Sequence, residues 1–107
     1  MKNLLVRNLE SINGNKVANQ FVIDYDRTRA FQSYESLIFS YDYNTKTLFI
    51  GRDYDYSNTT RKYANMFLRE YLDFYELNTK ELRRLEKERA TTYTLSNGLV
   101  INLEWEG

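Results

Sequence analysis

The chain has 107 residues, and its 15 Lys plus Arg cancel its 15 Asp plus Glu. That balance excludes a dominant electrostatic grip on nucleic acid and a wholesale acidic mimic of it, while leaving room for local patches. Cysteine and histidine are absent, which removes disulfides, thiolate chemistry, the commonest general base and the commonest transition-metal ligand.

The length suits one domain, 1–107, able to bury about 65% of its unfolded surface. Hydrophobic residues at 42% and charged residues at 28% are globular proportions. No apolar run approaches the ~20 residues of a membrane span. The opening MKNLLVRNLE is too short and too broken by Asn and Arg for a signal peptide. The expected location is a cytoplasm, with no membrane partner.

In chain order, Leu4, Val6 and Leu9 sit in a short strand-like run, and Asn13-Gly14 follows. Asn-Gly is the preferred pair of a type I′ turn, because both central residues need positive φ. A hairpin of 3–10 with 16–24 is therefore predicted. Asp24 to Arg27 should turn, and Thr28 to Gln32 should return as a strand. Ser33 to Ser36 reads as a bend or bulge. Leu37 to Tyr41 is the most β-prone run of the chain. Asn44 to Lys46 turns, and Thr47 to Ile50 completes a five-strand meander closed by Gly51.

The stretch Asp53 to Leu77 holds the longest helical pattern. Ala64, Phe67, Leu68, Tyr71, Leu72 and Tyr75 recur at helical spacing as one apolar stripe. Ser57, Asn58, Thr59 and Thr60 precede it as candidate N-caps, with Thr59 and Thr60 favoured. The helix face should pack on Phe21, Ile23, Leu37, Phe39 and Leu48, chosen by strand alternation. Asn78 with Glu81 resembles a capping box opening a second helix, 79–90, anchored by Leu82 and Leu85. Its pairs Glu81/Arg84, Arg84/Glu88 and Glu86/Arg89 read as a solvated face. A last hairpin, Thr91–Leu95 with Leu99–Trp105, turns at Asn97-Gly98. The expected class is α+β: an antiparallel sheet, built from an N-terminal meander plus a C-terminal hairpin, against one long and one shorter α-helix.

Three constellations bear on function. Asp53, Asp55 and Ser57 match the opening of a calcium loop, but Asn58 stands where Gly is needed and Ala64 where the bidentate Glu is needed. They read better as turn and cap residues, and no metal or other cofactor is expected. The carboxylate pairs Asp24/Asp26 and Asp53/Asp55 lie in polar turns without a nucleophile or oxyanion-hole motif, so an enzyme is not expected. The third is tyrosine, ten in all. Tyr gives large contact area at low entropic cost. Tyr41, Tyr43, Arg52, Asp53, Tyr54, Asp55, Tyr56 and Arg61 surround the strand exit and the helix entry, and form the expected partner-binding surface. The competing surface is the second helix, through Arg83, Arg84 and Arg89.

Phe31-Gln32-Ser33-Tyr34 and Asp55-Tyr56-Ser57-Asn58-Thr59-Thr60-Arg61-Lys62-Tyr63, with Gln20 to Ile23 before them and Thr92 to Leu95 after, resemble a family of small uncharacterised proteins. That family comes from phages and mobile elements of low-GC Gram-positive bacteria. The resemblance spans about residues 19–95 and brings no assigned activity. By analogy with small phage proteins that lack catalytic residues, it implies an anti-CRISPR-like inhibitor that binds a bacterial defence protein, such as a CRISPR effector. The alternative is a nucleic-acid-binding accessory protein using Arg52, Arg61, Lys62 and stacked tyrosines. A homodimer is compatible with either.

Overall fold

The structure is a computed structural model that describes residues 4–107; the predicted start of the first strand at Asn3 lies outside the described residues. Seven strands form one sheet: β1 (Leu5–Glu10), β2 (Lys16–Tyr25), β3 (Thr28–Ser33), β4 (Ser36–Asp42), β5 (Thr47–Ile50), β6 (Thr92–Thr94) and β7 (Val100–Trp105). Their order is β1-β2-β3-β4-β5-β7-β6. All neighbours are antiparallel except β5 and β7. That parallel pair departs from the expected all-antiparallel sheet. The helical segments intervene between the two strands, and a crossover of that kind lets the chain re-enter in the same direction.

Two helices lie in that crossover, α1 (Asn58–Met66) and α2 (Thr79–Lys87), of nine residues each. The first is prolonged by one π-helical turn, Phe67–Tyr71. It then stops. Asp73 adopts φ 61, and the Phe74 amide donates back to the Leu68 carbonyl at 2.8 Å, a Schellman-like ending. Phe74 is buried, as the contact that accompanies such an ending requires. The expected run through Tyr75 is therefore corrected: Tyr75 lies beyond the helix and is exposed. A left-handed residue also ends α2. Arg89 has φ 55 and the Ala90 amide reaches the Leu85 carbonyl at 2.9 Å. Glu86 and Arg89 consequently do not share a helix face, whereas Arg84 does hold both Glu81 and Glu88.

The core lies between the sheet and these helices. Phe67, with no exposed surface, stacks on Phe31 at 5.4 Å and Phe39 at 6.1 Å between ring centroids. Ala64, Leu68 and Leu72 are buried, Tyr71 is partly so, and Leu48 and Phe39 face them. Three expected core residues are misassigned. In β2 the buried residues are Gln20 and Val22, so Phe21 and Ile23 occupy the opposite face. In β4 the pairing runs Phe31 with Phe39 and then Gln32 with Leu37, leaving Ile38 unpaired as a bulge. One inserted residue reverses the face of everything before it. Ile38 and Phe39 are both buried, and Leu37 is exposed.

The Asn-Gly turns are present but of another type. Gly14 and Gly98 have φ 82 and φ 92, while Asn13 and Asn97 are not among the positive-φ residues. Gly14 N donates to Ser11 O at 2.8 Å and Gly98 N to Leu95 O at 2.9 Å. These are turns closed by a left-handed glycine, the pattern of a three-residue hairpin loop.

Candidate functional site

Two turns and a helix end meet at one corner of the sheet. β3 passes to β4 through Tyr34 and Glu35 alone, so Ser33 and Ser36 stand opposite each other on the helix side of the sheet. Tyr34 takes φ 54, uncommon for a bulky residue, and its amide donates to Asn19 O at 2.7 Å. Facing this hairpin, the chain leaves β5 at Gly51 and descends through two turns. Tyr54 N donates to Gly51 O and Tyr56 N to Asp53 O, both at 3.1 Å. Then α1 begins.

Ser57 is the cap of α1. Its Oγ accepts from Thr60 N at 3.1 Å and lies 3.1 Å from Thr60 Oγ1. The expected capping by Thr59 and Thr60 is corrected, because the chain is already helical at Asn58. Ser57→Ala should lower stability by about 1 kcal/mol, and Thr59→Ala by much less, in urea melts. Asn78 caps α2 as expected, accepting from Glu81 N at 2.8 Å.

Between the hairpin and the helix end lies a cleft of about 410 Å³. Ser33, Ile38 and Thr60 line its inner part, and all three are buried. Tyr34 and Tyr56 stand at its mouth, 58% and 79% exposed. Glu35, Ser36 and Asp53 complete the lining, so the cleft has two carboxylates and no cationic side chain among the described residues. Ser36 Oγ donates to Asp53 Oδ2 at 3.2 Å. The Ser33 hydroxyl, in a residue 4% exposed, has no hydrogen-bond partner among the described residues. Nor has the Oε1 of Gln20, its register neighbour on β2. Leaving such a group unpaired costs about 1–3 kcal/mol, and a native site that tolerates the cost needs a reason.

The expected binding surface does not form one patch. Tyr41 is 3% exposed and packs edge-on against Phe74 and Tyr43. Burial, followed by the nearby Tyr43 and Asp42, pushes its hydroxyl above the usual tyrosine range. Tyr43 is exposed beside it, at the end of β4 remote from Ser36. Those two are thus separated from Asp53, Tyr56 and Arg61 by the length of a strand, about 20 Å. Tyr54 is also 3% exposed and donates its hydroxyl to Glu86 Oε1 at 2.8 Å. Arg52 holds Glu106 at 3.4 Å, and Asp55 holds Arg83 at 3.6 Å. Arg61 donates to Asp55 O at 2.9 Å and to Asn58. On the competing surface, Arg84 is taken by its two glutamates.

Burial raises the Tyr54 hydroxyl far above its ordinary range, and donation to Glu86 adds to the rise. A hydroxyl held protonated by the fold contributes stability that is complete below pH about 10 and is lost as pH rises further. Tyr54→Phe should therefore flatten the decline in stability above pH about 10, at a cost of about 1 kcal/mol near neutrality. Urea melts across that range read both effects.

Asp53, Asp55 and Ser57, the candidate calcium-loop residues, go to three different partners: Ser36, Arg83 and the helix end. Sequence reasoning missed Ser33, Tyr34, Glu35, Ser36 and Thr60 as site residues. One signal was present. FQSY and DYSNTTRKY, the segments that carry the family resemblance, supply Ser33, Tyr34, Tyr56 and Thr60, and the fold brings these to one cleft.

No helix among the described residues is long and apolar enough to cross a membrane. Among curated proteins and solved structures, none matches the chain. A family of unknown function (DUF8033) matches residues 5–88, which hold both walls of the cleft and exclude the C-terminal hairpin, and the chain belongs to that family.

Proposed function

We propose that this protein acts without enzymatic chemistry, by binding a bacterial protein in the cytoplasm of a carrier cell, and that its target is a defence protein such as a CRISPR effector. One observation carries the binding reading: two exposed tyrosines stand over two carboxylates at a corner fixed by a hairpin and a capped helix. Exposed aromatic area is typical of interface hot spots. A rigid frame lowers the entropy lost on association. Carboxylates suit the basic surface that a nucleic-acid-handling protein presents, and speed encounter with it. The phage or mobile-element setting and the defence target rest on the resemblance of the two segments that frame the cleft.

The nucleic-acid alternative has less support. Arg52 and Arg61 are both engaged within the chain, and the cleft would repel phosphate.

The test is phage plating on a low-GC Gram-positive host armed with a CRISPR effector that targets the phage. Expression of the protein should restore plating by orders of magnitude. Tyr34→Ala with Tyr56→Ala, checked for folding by circular dichroism, should abolish the rescue. No rescue across a panel of effectors removes the inhibitor reading, and full rescue by the double variant moves the contact away from the cleft. Binding of single-stranded DNA that weakens steeply with salt would favour the alternative.

A further inference from the structure

We infer that the cleft between the β3–β4 hairpin and the start of α1 is a receptor for an organic cation, the guanidinium group of an arginine side chain carried by the bound protein. This rests on the protein-binding reading above and names what the partner places in the site.

The lining decides the chemistry. Glu35 and Asp53 are acceptors and carry the only charges in it among the described residues. Asp53 spends Oδ2 on Ser36, which leaves Oδ1 for a donor from outside. The buried Ser33 hydroxyl is a second acceptor with no partner of its own among the described residues. Tyr34 and Tyr56 offer π faces at the mouth. A ligand matching all of this is positive, carries several N–H donors and has a flat face that stacks on aromatic rings. Guanidinium has five donors in a planar fork and stacks in this way.

Other ligands fit worse. A hard divalent cation takes six or more oxygen ligands, and no group of three metal-ligating side chains occurs among the described residues. An anion would meet two carboxylates. A neutral sugar would gain nothing from either charge.

The cleft also explains the unpaired Ser33. A hydroxyl without a partner destabilises the free protein, and a donor supplied by the ligand removes that cost on binding. Ser33→Ala should therefore raise the stability of the free protein and weaken cation binding together. A purely structural serine would not show that opposition.

Titration of ¹⁵N-labelled protein with N-acetyl-arginine-N′-methylamide, followed by amide NMR, tests the site directly. The amides of Ser33 to Ser36 and of Asp53 to Thr60 should shift together. The citrulline counterpart, equal in shape but uncharged, should leave them in place. Asp53→Asn should weaken binding about tenfold or more, as loss of a charge-assisted hydrogen bond does. Glu35→Gln, at an exposed position, is the second variant should Asp53→Asn fail to fold. Butylguanidinium separates the sources, since it carries the same single guanidinium charge on an alkyl chain without a peptide backbone. Tighter binding of the arginine amide supports a side chain of a protein. Tighter binding of butylguanidinium overturns that assignment in favour of a free small guanidine. Equal shifts with the citrulline probe, or unchanged affinity in the carboxylate variants, overturn the cation site. All of these measurements use the isolated protein, so their failure leaves the plating result standing, and failure of plating leaves them standing.

Discussion

Replacing Phe67 by alanine should cost on the order of 3–5 kcal/mol, the range for a phenylalanine removed from a closed core. Phe67 has no exposed surface. Its ring lies between those of Phe31 and Phe39 on the sheet and that of Tyr71, 5.8 Å away in the π-helical turn. Aromatic contacts of this kind add to the transfer energy of the ring itself. Collapse around the gap is resisted from both sides: Phe31 and Phe39 are held in register on paired strands, and Tyr71 is tied to Glu10 N, whose donor lies 3.1 Å from its hydroxyl oxygen. Phe67→Leu keeps much of the volume and should cost less than half as much. Urea melts read both, and a loss below about 1 kcal/mol for Phe67→Ala would remove this residue from the core.

That helix stripe was legible because its signal is local. Ala64, Phe67, Leu68 and Leu72 repeat at the helical period, and the period alone assigns their face. The strands were legible for a similar reason, since β-branched and aromatic runs separated by Asn, Gly and Asp have few other solutions. Strand faces were not. Leu37, Phe39 and Tyr41 alternate in the sequence, yet the bulge at Ile38 turns Leu37 outward. In β2 the apolar run Phe21-Val22-Ile23 has no polar alternation, so nothing local says which residue faces the helices. Register with Phe31 decides it, and Val22 is the one that pairs there.

The cleft was half legible. Asp53 and Tyr56 were identified from their place between strand and helix, and both line the cleft. Tyr41 and Tyr54 were assigned to a surface by residue type, and type cannot separate a tyrosine at an interface from one that closes a core with its hydroxyl bonded. Ser33 and Ser36 were passed over because a serine pair in a turn is ordinary. Only the cross-strand pairing, and the lack of a partner for Ser33 among the described residues, mark them.

Gly51→Ala should be the most damaging glycine-to-alanine change in the chain, on the order of 4 kcal/mol or more. The reason is space rather than backbone conformation. Gly51 is not among the positive-φ glycines. A Cβ there would overlap the backbone carbonyl oxygen of Leu37 and lie 3.3 Å from that of Ile38. Both obstacles are backbone, at the bulge itself, and Gly51 N is already bonded to Ile38 O at 2.7 Å. Neither can rotate aside as a side chain would. Accommodation requires the exit of β5 to lift from β4, which breaks that hydrogen bond and shifts Ile38 and Asp53 on the two walls of the cleft. Gly98→Ala is the contrast. It has φ 92 and open space where the methyl would go, so its cost is backbone strain alone, about 1–2 kcal/mol. Urea melts of the two variants should differ by about 2 kcal/mol or more, with Gly51→Ala the worse. Equal losses would mean that the close approach of the bulge is not what demands glycine at position 51.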